Sequence, residues 1–296
     1  MSDFPFFTPA VRAERGITEG QVRAARRRGD LVHVWRGLDV TRDRRGDRFT
    51  RLAAIATLSG EATLSGPSAA RLWRLPVPEA WADELTFDRA SDRVRPRPGL
   101  RIVTRSLPPG RTVAVRGLRV TDPSQTLVDL LCRYDGPHLL WVVEQGLARG
   151  VDPAIVGGLI TPGRRGAVAA RRMLGLADAR GESPLESAVA LALHGARIPE
   201  PERQWPIVTP RLRARLDFAW PERMVALEAD GVSVHSAPEA LLRDRTRQNA
   251  LAILGWTILR CTWHDVVPAA DAFVRVVSDA LRRAPSATNA ALGAAS

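Results

Sequence analysis

The stretch that decides the fold runs from Asp217 to His235 and reads DFAWPERMVALEADGVSVH. Apolar and polar residues alternate on both sides of the turn at Pro221 to Arg223, which is the pattern of two β-strands with one buried face each. The sequence therefore predicts a β-hairpin. The apolar face of its first arm is expected to consist of Leu212, Ala214, Leu216 and Phe218.

The turn fixes which residues of the hairpin face each other. A two-residue loop and a four-residue loop both pair Trp220 with Val225, and this register places Asp217 directly opposite Glu228. Opposed residues have Cβ atoms about 4.5–5.5 Å apart, and like charges at that separation destabilise a sheet. A divalent cation would remove the cost, so the pair predicts a site for Mg²⁺ or Mn²⁺, which prefer oxygen ligands.

Length and composition indicate a multi-domain protein without a membrane segment. The 296 residues, 45% of them hydrophobic, suffice for two or three cores. The first thirty residues are charged, which argues against a signal peptide, and no later run is long and apolar enough to cross a bilayer. Cys132 and Cys261 lie far apart, which fits a reducing cytoplasm and excludes a thiolate zinc site. The expected location is cytoplasmic, with no membrane partner.

The chain is strongly basic, with a formal charge of +11, and every basic residue other than histidine is arginine. Arginine binds phosphate and guanine edges well, so double-stranded DNA is a candidate partner. A solvated basic surface, or GC-rich coding, explains the same composition. Charge alone leaves both interpretations open.

Residues 8 to 40 are predicted to form a winged helix-turn-helix. Thr18 and Gln21 have the spacing of a capping box at the start of a helix from Glu19 to Arg28, and a β-like run follows from Leu31 to Val40. Such a helix suits the major groove and such a β-like run suits a wing over the phosphates, whereas the alternative is a module used for packing or protein contact. The candidate DNA-binding residues are Arg23, Arg26 and Arg27 of the helix and Arg36 of the wing.

This N-terminal pattern resembles the winged helix of AbiEi-type antitoxins, in Gly16, Arg27-Arg28-Gly29 and Arg36-Gly37. The resemblance implies a DNA-binding domain over residues 1–46 and a toxin protein as a candidate partner. Residues 63–70 and 121–129 also recur in those proteins, so residues 47–180 are expected to form a mixed α/β middle domain of the same kind. We find no catalytic constellation in that segment.

The predicted element order after Gly181 is helix, strand, acidic hairpin, helix, strand and helix, which is the αβββαβ order of PD-(D/E)xK nuclease cores. Six motifs lie along this order: Ser183 to Glu186, Leu216 to Phe218, Leu227 to Gly231, His235, Asp244 to Arg247 and Leu254 to Arg260. Together they resemble very-short-patch-repair-like endonucleases, which implies such a domain over residues 181–284. The tail over 285–296, rich in Ala, Ser and Asn, is expected to be disordered. The overall expectation is an α/β fold, α+β overall.

The same resemblance implies roles for the acidic residues. Asp217, Glu228 and the helix acid Glu186 would bind the metal ion. The slot two residues after Glu228, commonly lysine in this superfamily, holds Asp230 in a chain without lysine. His235 is then the candidate general base, with Asp230 as a further metal ligand or as its orienting partner.

Three residues are expected at the border of this site. Arg247 could neutralise the phosphate, Asp244 three residues earlier could pair with it on one helix face, and Arg260 could face the acids from the next strand. Two functions follow. The first is a DNA-binding, Mg²⁺-dependent endonuclease, and the second is a transcriptional regulator or type IV antitoxin-like protein with an inactive nuclease fold.

Overall fold

The protein has a mixed α/β fold, seen in a computed structural model that describes residues 6–35, 37–59, 62–88, 98–115, 118–210, 212–230 and 238–284. Its contacts divide the chain into two compact units. Unit 1 comprises Met1–Arg133 and Gly150–Arg171, and unit 2 comprises Tyr134–Arg149 and Arg172–Ser296. The finer division predicted at residues 46, 180 and 284 stays a prediction.

Unit 1 begins with a three-stranded sheet and continues into a five-stranded one, in the orders β1-β3-β2 and β6-β5-β4-β8-β7. Its elements are β1 (Phe6–Phe7), α1 (Pro9–Glu14), α2 (Glu19–Arg28), β2 (Leu31–Trp35), β3 (Leu38–Thr41), α3 (Arg48–Ser59), β4 (Thr63–Ser65), α4 (Gly66–Leu72), β5 (Asp83–Phe87), β6 (Leu100–Thr104), β7 (Thr112–Val115), β8 (Leu118–Thr121) and α5 (Pro123–Leu131).

Three helices follow α5. The first, α6 (Gly136–Ala148), belongs to unit 2, and α7 (Pro153–Leu159) belongs to unit 1. The last division between the units falls within α8 (Ala167–Leu176). The rest of unit 2 carries a four-stranded sheet in the order β12-β11-β10-β9. Its elements are α9 (Pro184–Gly195), β9 (Glu202–Thr209), β10 (Leu212–Trp220), β11 (Val225–Ala229), α10 (Pro238–Ile253), β12 (Thr257–Cys261), α11 (Trp263–Val266) and α12 (Ala270–Arg283).

Local capping explains where the first helices begin and end. Thr8 Oγ1 accepts from the Val11 amide at 3.2 Å, and Thr18 and Gln21 form the predicted capping box. Gly29 ends α2 at φ +81°, a left-handed conformation that glycine adopts at little cost. The predicted helix from Glu19 to Arg28 is therefore confirmed.

The predicted β-like run from Leu31 to Val40 is a pair of strands, the antiparallel β2 and β3. Gly37, at φ +82°, lies between the two strands, in a conformation that glycine adopts at little cost. In the predicted middle segment, β7 and β8 are also antiparallel, and β4 pairs with β5 and β8 before α4 begins.

The predicted αβββαβ element order is confirmed for residues 184–261, in α9, β9, β10, β11, α10 and β12. The hairpin has the predicted register, with Trp220 opposite Val225 and Phe218 opposite Leu227. Its loop is the four-residue alternative, a 3₁₀ turn at Pro221–Arg223 followed by Met224 at φ +50°. Beyond the hairpin, β12 runs parallel to β11, which the crossover through α10 permits.

The predicted apolar face of the first hairpin arm is wrong at one point. Leu216 packs into the core cluster with Ala226 and Leu251, whereas Phe218 packs into a different cluster with Leu185 and Leu227. Gln204, on β9 between the residues that pair with Leu216 and Phe218, has φ +54°. This strained backbone disturbs the pleat opposite Asp217, so the side chains change faces there.

No helix within the described ranges is long and apolar enough to cross a membrane.

Candidate functional site

A cleft of about 480 Å³ in unit 2 contains three of the predicted site acids. Its walls come from Glu182 to Glu186 at the start of α9, from Asp217 of β10, from Ala229 and Asp230 at the end of β11, and from Trp263. The hairpin register brings Asp217 beside the end of β11, and the cap of α9 places Glu186 in its first turn. Acids far apart in sequence thus line one cavity.

Glu186 is held at one of its two carboxylate oxygens. Ser183 caps α9 by accepting from the Glu186 amide at 3.1 Å. Oε2 of Glu186 accepts from the Glu182 amide at 3.1 Å and from Gln204 Nε2 at 2.8 Å, and Arg203 Nη2 lies 3.8 Å from it. Within the described residues, the Glu182 amide, Gln204 and Arg203 all approach this carboxylate at Oε2, and the Ser183 side chain also hydrogen-bonds with the carboxyl group. The carboxylate therefore retains acceptor capacity for a ligand.

The electrostatics of Glu186 favour a neutral or neutralised carboxyl group. Burial raises the pKa of Glu186, and only 5% of the residue is exposed. Hydrogen bonds from the Glu182 amide and with Ser183 oppose the rise, and the charge of Asp217 adds to it. A bound cation would offset both the burial and the repulsion.

Asp217 is fixed in the same one-sided way. Its Oδ2 accepts from the Ala229 amide of the neighbouring strand at 2.9 Å, and this is its hydrogen bond within the described residues. Burial raises the pKa of Asp217 against the lowering effects of that hydrogen bond and of Arg247 and Arg215. Among the residues that the structure describes, Oδ1 makes no hydrogen bond, so it can accept from a ligand in the cleft.

Glu228 has a different environment from the other two acids. It is 5% exposed, and its carboxylate pairs with Arg247 of α10 and, at 3.4 Å, with Arg260 of β12. The parallel pairing of β11 and β12 sets Arg260 directly beside Glu228. Burial raises the pKa of Glu228, Arg247 and Arg260 lower it, and Asp217 and Asp230 raise it again. Two guanidinium groups therefore occupy the position where the prediction places a cation.

Asp230 and Arg260 are joined across the ends of β11 and β12. Arg260 Nη1 lies 3.4 Å from Asp230 Oδ2, so Arg260 bridges Asp230 and Glu228. Arg247 also reaches the carbonyl of Arg215 at 3.5 Å. The basic residues predicted at the border thus contact the acids, and a phosphate bound there would compete with Glu228 and Asp230 for the same guanidinium groups.

The three predicted metal ligands do not form one cluster. Over the parts of the chain that the structure describes, no group of three or more His, Cys, Asp or Glu side chains is placed to hold a metal ion. Glu186 and Asp217 share the cleft, whereas Glu228 is held by arginines. The predicted metal set of Asp217, Glu228 and Glu186 stays a prediction.

Several predicted residues cannot be placed. His235 and Arg36 lie outside the described residues. Asp244 lies on α10, but its side chain is also outside the described part. The predicted roles of His235 as general base, of Asp244 at the border and of Arg36 in the wing therefore stay predictions.

In unit 1 the predicted DNA-binding arginines of α2 have two different environments. Arg23 and Arg27 are exposed, and Arg23 lies 3.9 Å from the exposed Glu19. Arg26 instead donates to both carboxylate oxygens of Asp39, which is fully buried. Arg23 and Arg27 are thus accessible to a polyanion, whereas Arg26 is paired with Asp39 inside the unit.

Sequence reasoning missed three residues near the cleft. Arg203 is 7% exposed and donates to the fully buried Glu144 at 2.7 Å, and Gln204 binds Glu186. A signal was present for Glu144 alone, because an acid within the apolar run of α6, LLWVVEQGL, needs a buried partner. No local pattern identifies which arginine that partner is.

Comparison with known proteins places the chain beside two relatives from Mycobacterium tuberculosis. They are the uncharacterized proteins MT2308 of strain CDC 1551 / Oshkosh and Rv2248 of strain ATCC 25618 / H37Rv. Each is 32% identical to the chain over 258 residues, which is 84% of the chain and 92% of the relative. No protein-family model matches the chain. The likeness is long enough to include residues of both compact units.

Proposed function

The chain belongs to the same family as the Mycobacterium tuberculosis proteins MT2308 and Rv2248, and we propose that it is a DNA-binding protein whose C-terminal unit is a Mg²⁺- or Mn²⁺-dependent endonuclease. One observation carries the proposal. Glu186 and Asp217 line the same cleft, and within the described part of the chain each has one carboxylate oxygen held by hydrogen-bond donors while the carboxylate retains acceptor capacity.

The donor set of the cleft fits a hard divalent cation. Carboxylate oxygens are the ligands that Mg²⁺ prefers, and it usually binds one or two of them together with water and phosphate oxygens. Glu186 and Asp217 supply two, and Asp230 lines the same cavity. The raised pKa of Glu186 and of Asp217, caused first by burial, is the cost that a cation would remove.

The bound cation would polarise the phosphate and lower the pKa of a water molecule. Glu186 and Asp217 would hold the metal. Arg247 and Arg260, which pair with Glu228, would bind the phosphate and release Glu228 as they do so. His235 would accept the proton from the attacking water.

Double-stranded DNA as the substrate is supported by charge. The chain has a formal charge of +11, and α2 presents Arg23 and Arg27 at the surface of unit 1. Guanidinium groups bind phosphate in a fixed bidentate geometry, and neutralising phosphates is the main source of sequence-independent DNA affinity. Unit 1 would bind the duplex that unit 2 cleaves.

The second candidate is a non-catalytic regulator or type IV antitoxin-like protein that binds DNA or a toxin through an inactive nuclease fold. The ion pairs of Glu228 favour it, because an acid held by Arg247 and Arg260 is unavailable to a metal. Asp230 in the slot that commonly holds lysine also favours it. The two candidates differ in what happens when DNA binds. In the endonuclease, the substrate phosphate would compete with Glu228 for these arginines, whereas in the regulator the ion pairs would persist.

Nicking of supercoiled plasmid in Mg²⁺ or Mn²⁺ tests the endonuclease. We expect the parent protein to nick and the Asp217→Asn and Glu186→Gln variants to lose about 100-fold or more of the rate. Glu222→Gln is the matched control, because Glu222 is an exposed acid on the turn of the same hairpin. EDTA should abolish the parent activity. A parent that does not nick, and whose melting temperature does not respond to either metal, would support the regulator instead.

A further inference from the structure

The hairpin of β9 and β10 continues past the strand that pairs with its other side. Leu212 to Leu216 of β10 pair with Trp205 to Thr209 of β9. Within the described residues, the pairing of β10 with β11 covers Phe218 to Trp220. We call residues 205–210 and 212–216 the hairpin arm. The arm leads directly to Asp217, which lines the candidate cleft, so the arm adjoins the cleft.

The two faces of the hairpin arm differ in chemistry. Leu212 and Leu216 pack into a core cluster with Leu251 of α10, so one face of the arm is covered. Alternate residues of a strand point to opposite faces, which places Arg213 and Arg215 on the other face. Both arginines are exposed. The arm therefore presents two positive charges to solvent.

The outer edge of the arm is not suited to pairing with a further strand. In the described sheet β9 is an edge strand, but Pro206 lies in its middle and has no amide hydrogen. Gln204, at φ +54°, also interrupts the regular backbone of the edge. Val208, which pairs with Arg213, is 67% exposed. A partner of the arm is thus expected to bind its exposed face rather than its edge.

The two arginines lie in line with the cleft. Arg213, Arg215 and Asp217 follow one another at two-residue spacing on β10, and strand residues two apart are about 6.6–6.8 Å apart. Arg215 Nη2 donates to Glu182 Oε2 at 2.6 Å, and Glu182 belongs to the wall of the cleft. Both side chains of this ion pair are about half exposed, at 53% and 52%. Exposed ion pairs contribute little stability, so a competing anion can open this one.

We propose that the exposed face of the hairpin arm binds phosphates of the DNA strand next to the scissile phosphate, with Arg215 at the nearer phosphate and Arg213 further out. The inference rests on the proposed function, because it takes the cleft as the place where DNA is cut. Arginine suits the role, since its guanidinium group stays ionised and offers several donors to phosphate oxygens. The arm holds the substrate while the acids of the cleft act on it.

Binding of duplex DNA without cleavage tests the surface. A fluorescently labelled duplex is titrated in EDTA at several salt concentrations, and its anisotropy gives the slope of log K against log salt concentration. We expect Arg213→Ala and Arg215→Ala each to reduce the slope by about one and the affinity about 3- to 10-fold. Arg223→Ala is the matched control, because Arg223 is an exposed arginine on the turn at the opposite end of β10. Its slope should equal that of the parent.

Nicking kinetics separate a binding role from a catalytic one. A contact that is equally strong in the bound substrate and in the transition state affects KM and leaves kcat unchanged. We expect Arg213→Ala to raise KM for plasmid DNA about 3- to 10-fold with kcat near that of the parent. A fall in kcat with unchanged KM would contradict the binding role.

Glu182→Gln tests whether DNA takes Arg215 from its ion pair. We expect this change to tighten DNA binding about 2- to 5-fold in the parent, because the pair no longer has to open. The gain should be smaller in Arg215→Ala, where no pair remains. An equal gain in both backgrounds would show that Glu182 acts through its charge alone, and would remove Arg215 from the proposed surface.

The inference and the proposed function can fail separately. Slopes and KM values that equal those of the parent in both arginine variants would overturn the inference, and a parent that nicks would still be an endonuclease. Reduced slopes in a protein that does not nick with Mg²⁺ or Mn²⁺ would retain the arm as a DNA-binding surface and reject the endonuclease. A parent that binds no duplex would overturn both.

Discussion

Arg26 holds the buried carboxylate of Asp39 through two parallel hydrogen bonds, 2.6 Å from Nε and 2.7 Å from Nη2. The pair joins the last turn of α2 to β3, and His33 Nδ1 lies 3.3 Å from the same carboxylate. The hydrogen bond with Asp39 raises the pKa of Arg26. Arg26, which is predicted to bind DNA, thus pairs with a buried acid inside unit 1, and its role in DNA binding stays a prediction.

Removal of Arg26 should destabilise unit 1. Arg26→Ala leaves the Asp39 carboxylate buried without its main partner, which costs about 3 kcal/mol in the free energy of unfolding. Arg23→Ala, on the same helix but exposed, should change it by less than about 0.5 kcal/mol. Urea unfolding followed by circular dichroism measures both. Equal stability of the two variants would mean that water replaces Arg26 at Asp39.

DNA binding should depend on the exposed arginines of the same helix. Each phosphate contact that is lost reduces the slope of log K against log salt concentration by about one. Arg23→Ala and Arg27→Ala should each flatten the slope, whereas Arg101→Ala, an exposed arginine on β6, should not. Fluorescence anisotropy with a labelled duplex at several salt concentrations provides the slopes. If all three variants keep the parent slope, the DNA binds elsewhere.

The hairpin register could be predicted from sequence because it depends on local rules. The two-residue period and the position of the turn fix the pairing of Trp220 with Val225, and the capping box at Thr18 fixes the start of α2. Both signals lie within a few residues of the feature they determine. They carry no information about contacts between distant parts of the chain.

The partners of the buried charges could not be predicted for that reason. Arg203 and Glu144 are 59 residues apart in sequence, and Arg247 and Glu228 lie on different elements. The chain has 43 arginines, so composition does not identify which of them meets a given acid. The change of faces at Asp217 depends on the backbone of Gln204 on another strand, which the pattern of β10 cannot reveal.

Gly166 should be far less tolerant of substitution than its neighbour Gly163. Both have positive φ, +83° and +79°, so alanine strains the backbone at either position by about 1 kcal/mol. A Cβ at Gly166 would also lie 2.3 Å from the carbonyl oxygen of Cys132, whereas a Cβ at Gly163 meets nothing within 4 Å.

Comparison of Gly166→Ala with Gly163→Ala separates the clash from the strain. We expect the free energy of unfolding to fall by about 3 kcal/mol or more in Gly166→Ala, because backbone atoms cannot move aside as a flexible side chain can. The loss in Gly163→Ala should stay near 1 kcal/mol. Equal losses in urea unfolding would indicate that the segment around Gly166 shifts away from Cys132 at little cost.

Neutralising Asp217 should stabilise the metal-free protein. Burial raises the pKa of Asp217 in the folded state, and an acid of this kind binds a proton in the folded chain at a pH where the unfolded chain has released it. Stability therefore falls as pH rises through the folded pKa. In EDTA at pH 7, Asp217→Asn should melt about 2–4 °C above the parent. The difference should disappear as pH falls toward the unfolded pKa of about 4, where aspartate is protonated in both states.

Glu222→Gln should have the same melting temperature as the parent, and Mg²⁺ should raise the melting temperature of the parent more than that of Asp217→Asn. A lower melting temperature for Asp217→Asn at pH 7 would mean that the hydrogen bond from Ala229 outweighs the cost of burying the charge.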